Sequence, residues 1–163
     1  MKTTTPAATT VLSRTTLLLM ATACGLCAGA NYFNQPLLNS MVQHLQISDA
    51  QASSTVTMAQ VSYGLGLLFL VPLGDMLERR RLVLTLMLLA ACGMLLSGIS
   101  GLAGSFALLA AGTLMAGVFS VAAQVLVPMA ATFAAPGTSG RAVGLVMSGL
   151  LIGILASRSV AGI

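Results

Sequence analysis

Cys24-Gly25-Leu26-Cys27 has the spacing of a dithiol redox pair, or of one half of a zinc site. A closed zinc site needs a second pair, and the remaining cysteine, Cys92, stands alone. All three fall in apolar stretches, where packing is the expected role. Gly137-Thr138-Ser139-Gly140 matches the Gly-x-Ser-Gly pattern of one class of serine protease. Such a serine needs a base within hydrogen-bond reach, and the single histidine is His44. Three carboxylates, Asp49, Asp75 and Glu78, complete the acid–base inventory, and no glycine-rich phosphate loop is present. No enzyme, metal site or cofactor is expected from this set.

Five of the ten charged side chains crowd into residues 72–81, "PLGDMLERRR": Asp75, Glu78, Arg79, Arg80 and Arg81. The surroundings are almost wholly apolar. The sequence is 57% hydrophobic and 6% charged, with a mean hydropathy of +0.99. Soluble domains carry roughly a quarter of their residues as charges, so a soluble fold could not clothe its surface here. An integral membrane protein is expected. The net charge of +4 does not argue for nucleic acid, because the cations punctuate apolar runs instead of forming a face.

A spanning helix takes about 20 apolar residues to cross roughly 30 Å of hydrocarbon. Five segments meet that length: about 15–38, 50–74, 82–101, 105–133 and 142–163. Ser48 and Gln51 read as a capping box that starts the second. After Arg81 no charge appears until Arg141, and a single helix over that gap would be about 90 Å long. The chain must therefore reverse at 97–105, "SGISGLAGS", and again at 135–141, "APGTSGR".

Short-loop cations set orientation. With the N-terminus in the cytoplasm, Lys2, Arg14, Arg79, Arg80, Arg81 and Arg141 share one side, and the other loops carry no Lys or Arg. "ERRR" is then expected as a loop that pins topology, since an arginine at a helix centre costs roughly 2.5–3.5 kcal/mol on insertion scales. The same arrangement puts His44 across the membrane from Ser139, which removes the protease reading. Lys2, Arg14 and "AGA" at 28–30 also resemble a cleavable signal peptide. The apolar run continues to Leu38, however, so the first segment is expected to stay as a span. The fifth ends abruptly, as a piece of a larger protein would.

Small residues four apart let spans approach closely. They occur at Ala21, Gly25 and Gly29; at Gly93, Ser97 and Gly101; at Gly112, Ala116 and Ser120; and at Gly149, Gly153, Ser157 and Ala161. A compact bundle is expected. Polar side chains inside spans are costly and mark candidate sites. Asn31, Asn34 and Gln35 share one face of the first segment; Thr113, Gly117, Ser120, Gln124 and Pro128 share one face of the fourth. Gln60 and Tyr63 lie midway along the second, and Arg158 sits deep in the fifth. These residues are the candidate lining of a polar cavity, with interhelical hydrogen bonding as the plainer alternative.

"PLGDMLERRRL" resembles the loop between helices two and three of the major facilitator superfamily, Gly-x-Leu-Ala-Asp-Arg-x-Gly-Arg-Arg/Lys. Leu73, Asp75, Arg79 and Arg80 match, and Gly74 stands for the small fourth residue. Val71, Met76 and Glu78 depart from the first Gly, the first Arg and the later Gly. "NYFNQPLL" at the end of the first segment is similar to the bacterial drug-efflux-like branch. The resemblance implies an all-α fold in which these five helices belong to the N-terminal half of twelve, with the C-terminal half missing. It implies alternating-access transport of a small solute across a bacterial inner membrane, with a proton as the candidate coupling ion. It makes Asp75 the latch of a gate, Arg79 and Arg80 its electrostatic surroundings and Arg141 its local partner. Two further family motifs are altered. Thr113, four residues before Gly117, replaces an arginine. In the antiporter motif Gly144, Gly153 and Gly162 fit, while Ser157, Arg158 and Ala161 do not. No carboxylate lies within a segment to carry a proton. Without its other half the chain is expected to be inactive, and a small membrane scaffold acting through helix contacts is the alternative function.

Overall fold

The computed structural model describes residues 13–161; Lys2, Gly162 and the side chain of Ala161 lie outside the described residues. The elements are α1 (Arg14–Tyr32), α2 (Leu38–Leu45), α3 (Asp49–Leu70), α4 (Leu73–Met76), α5 (Arg79–Ala103), α6 (Phe106–Phe119), α7 (Ala122–Phe133) and α8 (Ser139–Ala161). They combine into five stretches long and apolar enough to cross a membrane: Arg14–Tyr32, Asp49–Met76, Arg79–Ala103, Phe106–Phe133 and Ser139–Val160. The protein is an all-α polytopic membrane protein.

Local chemistry sets the ends. Ser13 caps α1, its Oγ accepting from the Thr16 N–H at 3.1 Å. The helix stops at Tyr32, short of the expected Leu38. Pro36 has no N–H and disfavours helical geometry in the residue before it, so the chain turns through 33–37 and re-enters as α2. Ser48 and Gln51 form the expected capping box of α3. Between α5 and α6 the reversal is narrower than its sequence suggests: α5 runs on to Ala103, and Gly104 takes φ +60, a left-handed conformation that suits glycine. Ser105 then caps α6. A second interruption at Ser120–Val121 divides the fourth span into α6 and α7.

One local expectation is overturned. Arg79, Arg80 and Arg81 form the first turn of α5, not a loop, with Glu78 as the N-cap. Cations at a helix start oppose the helix dipole. Here the opposition is relieved locally, because Arg81 pairs with Glu78 at 2.6 Å and Arg79 with Asp75 at 3.4 Å.

Small residues decide which helices meet. A Cβ added to Gly25 would stand 2.6 Å from the Gly149 carbonyl oxygen, and Gly29 faces Gly153 and Ser157. Residue numbers rise together along this seam, so α1 and α8 run parallel. At the α5–α6 crossing, a Cβ on Gly93 would stand 2.5 Å from the Ala116 nitrogen. Gly117 and Ala59 bring α6 against α3. Gly101, by contrast, faces open space. A core of Met20, Cys24, Leu86, Val121, Leu126 and Val146 fills the centre. Outward leucines such as Leu19, Leu68, Leu88, Leu95 and Leu155 are exposed, as lipid-facing side chains are.

Candidate gate and polar cluster

The chain at the foot of α3 cannot continue as a regular helix through Pro72, and it re-coils as the single turn α4. That turn presents the Gly74 carbonyl and the Asp75 carboxylate to the start of α5. Arg79 gathers three partners there. Its Nε donates to the Gly74 carbonyl at 3.3 Å, one Nη lies 3.4 Å from Asp75 Oδ1, and the other donates to Thr132 Oγ1 at 3.5 Å. Thr132 in turn donates to the Pro128 carbonyl at 2.9 Å, near the end of α7. A planar guanidinium with a fixed fork of donors suits such a three-way junction better than an ammonium would. The Asp75 side chain is 81% exposed and that of Arg79 35%, so the ion pair sits in solvent and is weak, about 0–1 kcal/mol. The junction is a positioning device and not a source of stability.

Arg80 is exposed and makes no side-chain hydrogen bond or ion pair among the described residues. The partner of Asp75 is Arg79, four residues along the same chain, and not Arg141. Arg141 lies in the first turn of α8, exposed, beside a different cavity that it lines with Arg14. The expected Asp75–Arg141 contact is therefore absent. Thr132 was not anticipated. Its signal in the sequence was only a hydroxyl four residues after Pro128 at the arginine-bearing end of the fourth segment.

The polar candidates divide into separate groups instead of lining one cavity. Asn31 and Asn34 are buried, at 4% and 2% exposure. Asn34 Nδ2 donates to Thr113 Oγ1 at 3.3 Å, tying the end of α1 to α6. The Oδ1 atoms of both asparagines have no hydrogen-bond partner in the described structure. Gln35 is half-buried in the turn after α1. Gln124 Nε2 donates to the Tyr63 hydroxyl at 2.9 Å, joining α7 to α3. Gln60 and Arg158 are exposed. A cavity of about 820 Å³ does open between α1, α5 and α8, but Gly25, Gly29, Met87, Ala90 and Ile152 are typical of its lining and none of the polar candidates lines it.

The remaining chemical motifs are placed as follows. Cys24 and Cys27 are buried free thiols, and Cys24 Sγ lies 3.9 Å from the Ala123 carbonyl. Ser139 is exposed at the start of α8, and His44 is exposed in the last turn of α2. No cluster of three or more metal-ligating side chains occurs among the described residues.

Five spans packed through glycine seams, with an arginine junction at one end of the second and third, define a class: helical proteins that live within the bilayer. The chain belongs to the major facilitator superfamily, whose sequence model matches residues 18–163. It is 51% identical over 152 residues to proteins named uncharacterized transporter YgaY in Escherichia coli strains K12 and O157:H7, covering 93% of this chain and 38% of each of theirs. It is 33% identical over 151 residues to "Probable transporter SCO4007" of Streptomyces coelicolor, covering 93% of this chain and 34% of that one. The chain thus spans well under half the length of these relatives. No solved structure matches it significantly.

Proposed function

We propose that this chain forms part of a secondary transporter that moves a small solute across a bacterial inner membrane by alternating access. Membership of the major facilitator superfamily carries the reading, and relatives named as transporters support it. In this reading Asp75, Arg79 and Thr132 form a latch holding the foot of α3 and the start of α5 to the end of α7. Exposed, weak and multidentate contacts are what a repeatedly broken latch requires, because a strong buried pair would trap one state. Arg80 supplies field at the same end. Asn31, Asn34, Gln35, Tyr63 and Gln124 are the polar side chains available to a solute or a coupling proton, with Gln60 and Arg158 at exposed positions. The N-terminus is cytoplasmic in this reading, by the arginine distribution.

The test uses a version of the chain extended to the length of its relatives and placed in proteoliposomes. Counterflow of a panel of labelled small solutes should identify at least one that exchanges, and Asp75→Asn should slow that exchange several-fold. Exchange of no solute favours a membrane scaffold, and exchange indifferent to Asp75→Asn removes the latch. Orientation is tested separately with reporter fusions: Glu78 should report the cytoplasm and His44 the opposite side, and the reverse pattern overturns it.

A further inference from the structure

Opposite its glycine seam, α1 carries Cys24, Cys27 and Asn31 on one face, and Asn34 follows in the turn beyond. Two contacts fix what this face meets. Asn34 Nδ2 donates to Thr113 Oγ1 at 3.3 Å, and Cys24 Sγ lies 3.9 Å from the Ala123 carbonyl oxygen. Cys24 precedes Asn34 by the same interval at which Ala123 follows Thr113, so α1 and the fourth span run antiparallel and in step. Asn31 therefore comes opposite Ala116 and Gly117, both buried and neither with a side chain that can donate.

The Oδ1 atoms of Asn31 and Asn34 have no hydrogen-bond partner, and each exposes less than 1 Å². Thr113 takes the Nδ2 end of the Asn34 amide, which leaves its oxygen as the free end. More acceptors lie at the same place. The Gln35 N–H turns to the Tyr32 carbonyl at 3.4 Å and Pro36 has no N–H, so the carbonyls ending α1 lack donors that a continuing helix would supply. They form the negative end of the helix dipole, and no basic side chain stands in the last turn of α1. Arg158, exposed near the end of α8, donates to neither asparagine oxygen.

Buried acceptors at a negative helix end call for a positive guest, and each feature narrows it. The closed surface admits nothing larger than a single ion or water molecule, which excludes a solute. Amide oxygens hold no proton at neutral pH. The ligand atoms are uncharged oxygens, which suits an alkali cation; magnesium and calcium draw on carboxylates, and softer metals on nitrogen and sulfur. A water molecule would satisfy the two oxygens but leave the helix end uncompensated. Freed carbonyls at the C-terminal end of a broken span are sodium ligands in other membrane transporters. We propose that Asn31 and Asn34 bind a sodium ion at the end of α1 through their Oδ1 atoms, with Thr113 as a positioning residue. Binding needs only this chain. A part for the ion in coupling rests on the transporter reading above and narrows the role given there to these two asparagines. The two fail separately, because binding is measured without flux.

The test is equilibrium binding of radioactive sodium to this 163-residue chain in detergent, with choline as the replacing cation. One saturable site per chain is expected, displaced by unlabelled sodium and not by equal potassium. Asn31→Leu and Asn34→Leu should each weaken binding at least about tenfold, as loss of a polar contact to a charge does. Thr113→Val should weaken it less, by freeing the Asn34 amide to turn. Thr22→Val removes a hydroxyl from the exposed side of α1 and should change nothing. Asn31→Asp keeps an oxygen in place, adds charge and should bind sodium at least as tightly; a purely structural asparagine would give no such rescue. Should the leucine variants not fold, the unaltered chain still decides. Its thermal midpoint should be higher in sodium chloride than in equal potassium or choline chloride. Absence of saturable binding, or equal midpoints in the three salts, overturns the site and leaves a buried water in its place. Displacement by potassium as readily as by sodium overturns the sodium assignment.

Discussion

The α1–α8 seam and the arginine junction below α3 both join segments distant in sequence, yet they do so by opposite means. Along the seam Gly25, Gly29, Gly149 and Gly153 bring two backbones into contact, with the small Ser157 side chain against Gly29. At the junction a long flexible side chain reaches Gly74, Asp75 and Thr132 through bonds of 3.3 to 3.5 Å, with the carboxylate open to solvent. In lipid there is no hydrophobic force pressing helices together, so close backbone packing supplies the permanent contacts. Weak contacts at the aqueous edge are free to exchange. The difference separates contacts fixed by close backbone packing from contacts for which solvent competes.

Gly25→Val should break the seam most severely. Its Cβ would meet a backbone oxygen that has nowhere to go, and overpacking of this kind costs about 1–3 kcal/mol or more. Thermal unfolding in detergent should show a drop of several degrees or loss of monodisperse protein; an unchanged midpoint would mean that α1 and α8 do not pack as described. An intermediate effect is expected at the buried amide. A double-mutant cycle of Asn34→Leu and Thr113→Val should give a coupling of about 0.6 kcal/mol, the average for hydrogen bonds between membrane helices. A coupling of zero would remove that bond. The smallest stability change belongs to the junction, where Arg79→Gln or Thr132→Val should cost less than about 0.5 kcal/mol. Both should nevertheless speed hydrogen exchange of the amides around Gly74 and Asp75. A cost matching that of Gly25→Val would erase the contrast between the two regions.

Much of the architecture was legible because lipid imposes a simple rule: apolar length gives spans, and the interrupting charges give their ends. Small residues four apart also marked the faces that meet. Which faces meet was not legible, since pairing Gly25 with Gly149 depends on the rotation of two helices about their axes. The same limit hid Thr132 from Arg79, 53 residues away, and made Arg141 look like a partner for Asp75 by proximity to a loop. The breaks at 33–37 and at Ser120–Val121 lay inside apolar runs that read as continuous. Pro36 was a visible cause of the first; no comparable signal marks the second. The polar faces read from single helices did not carry over intact. Asn34 and Gln35 lie in the turn beyond α1, and Gln124 and Pro128 are exposed on α7 while Thr113, Gly117 and Ser120 are buried. Nor did the grouping across helices into one cavity follow.

The parallel seam also has a consequence for biogenesis. Translation proceeds at about 5–20 residues per second, so the ribosome finishes the partner strip on α8 on the order of ten seconds after the glycine strip on α1. During that wait the first span must sit in the membrane with its closest-packing surface bare. Early steps of assembly therefore fall to the α5–α6 and α3–α6 crossings, and the first helix made is among the last to find its place.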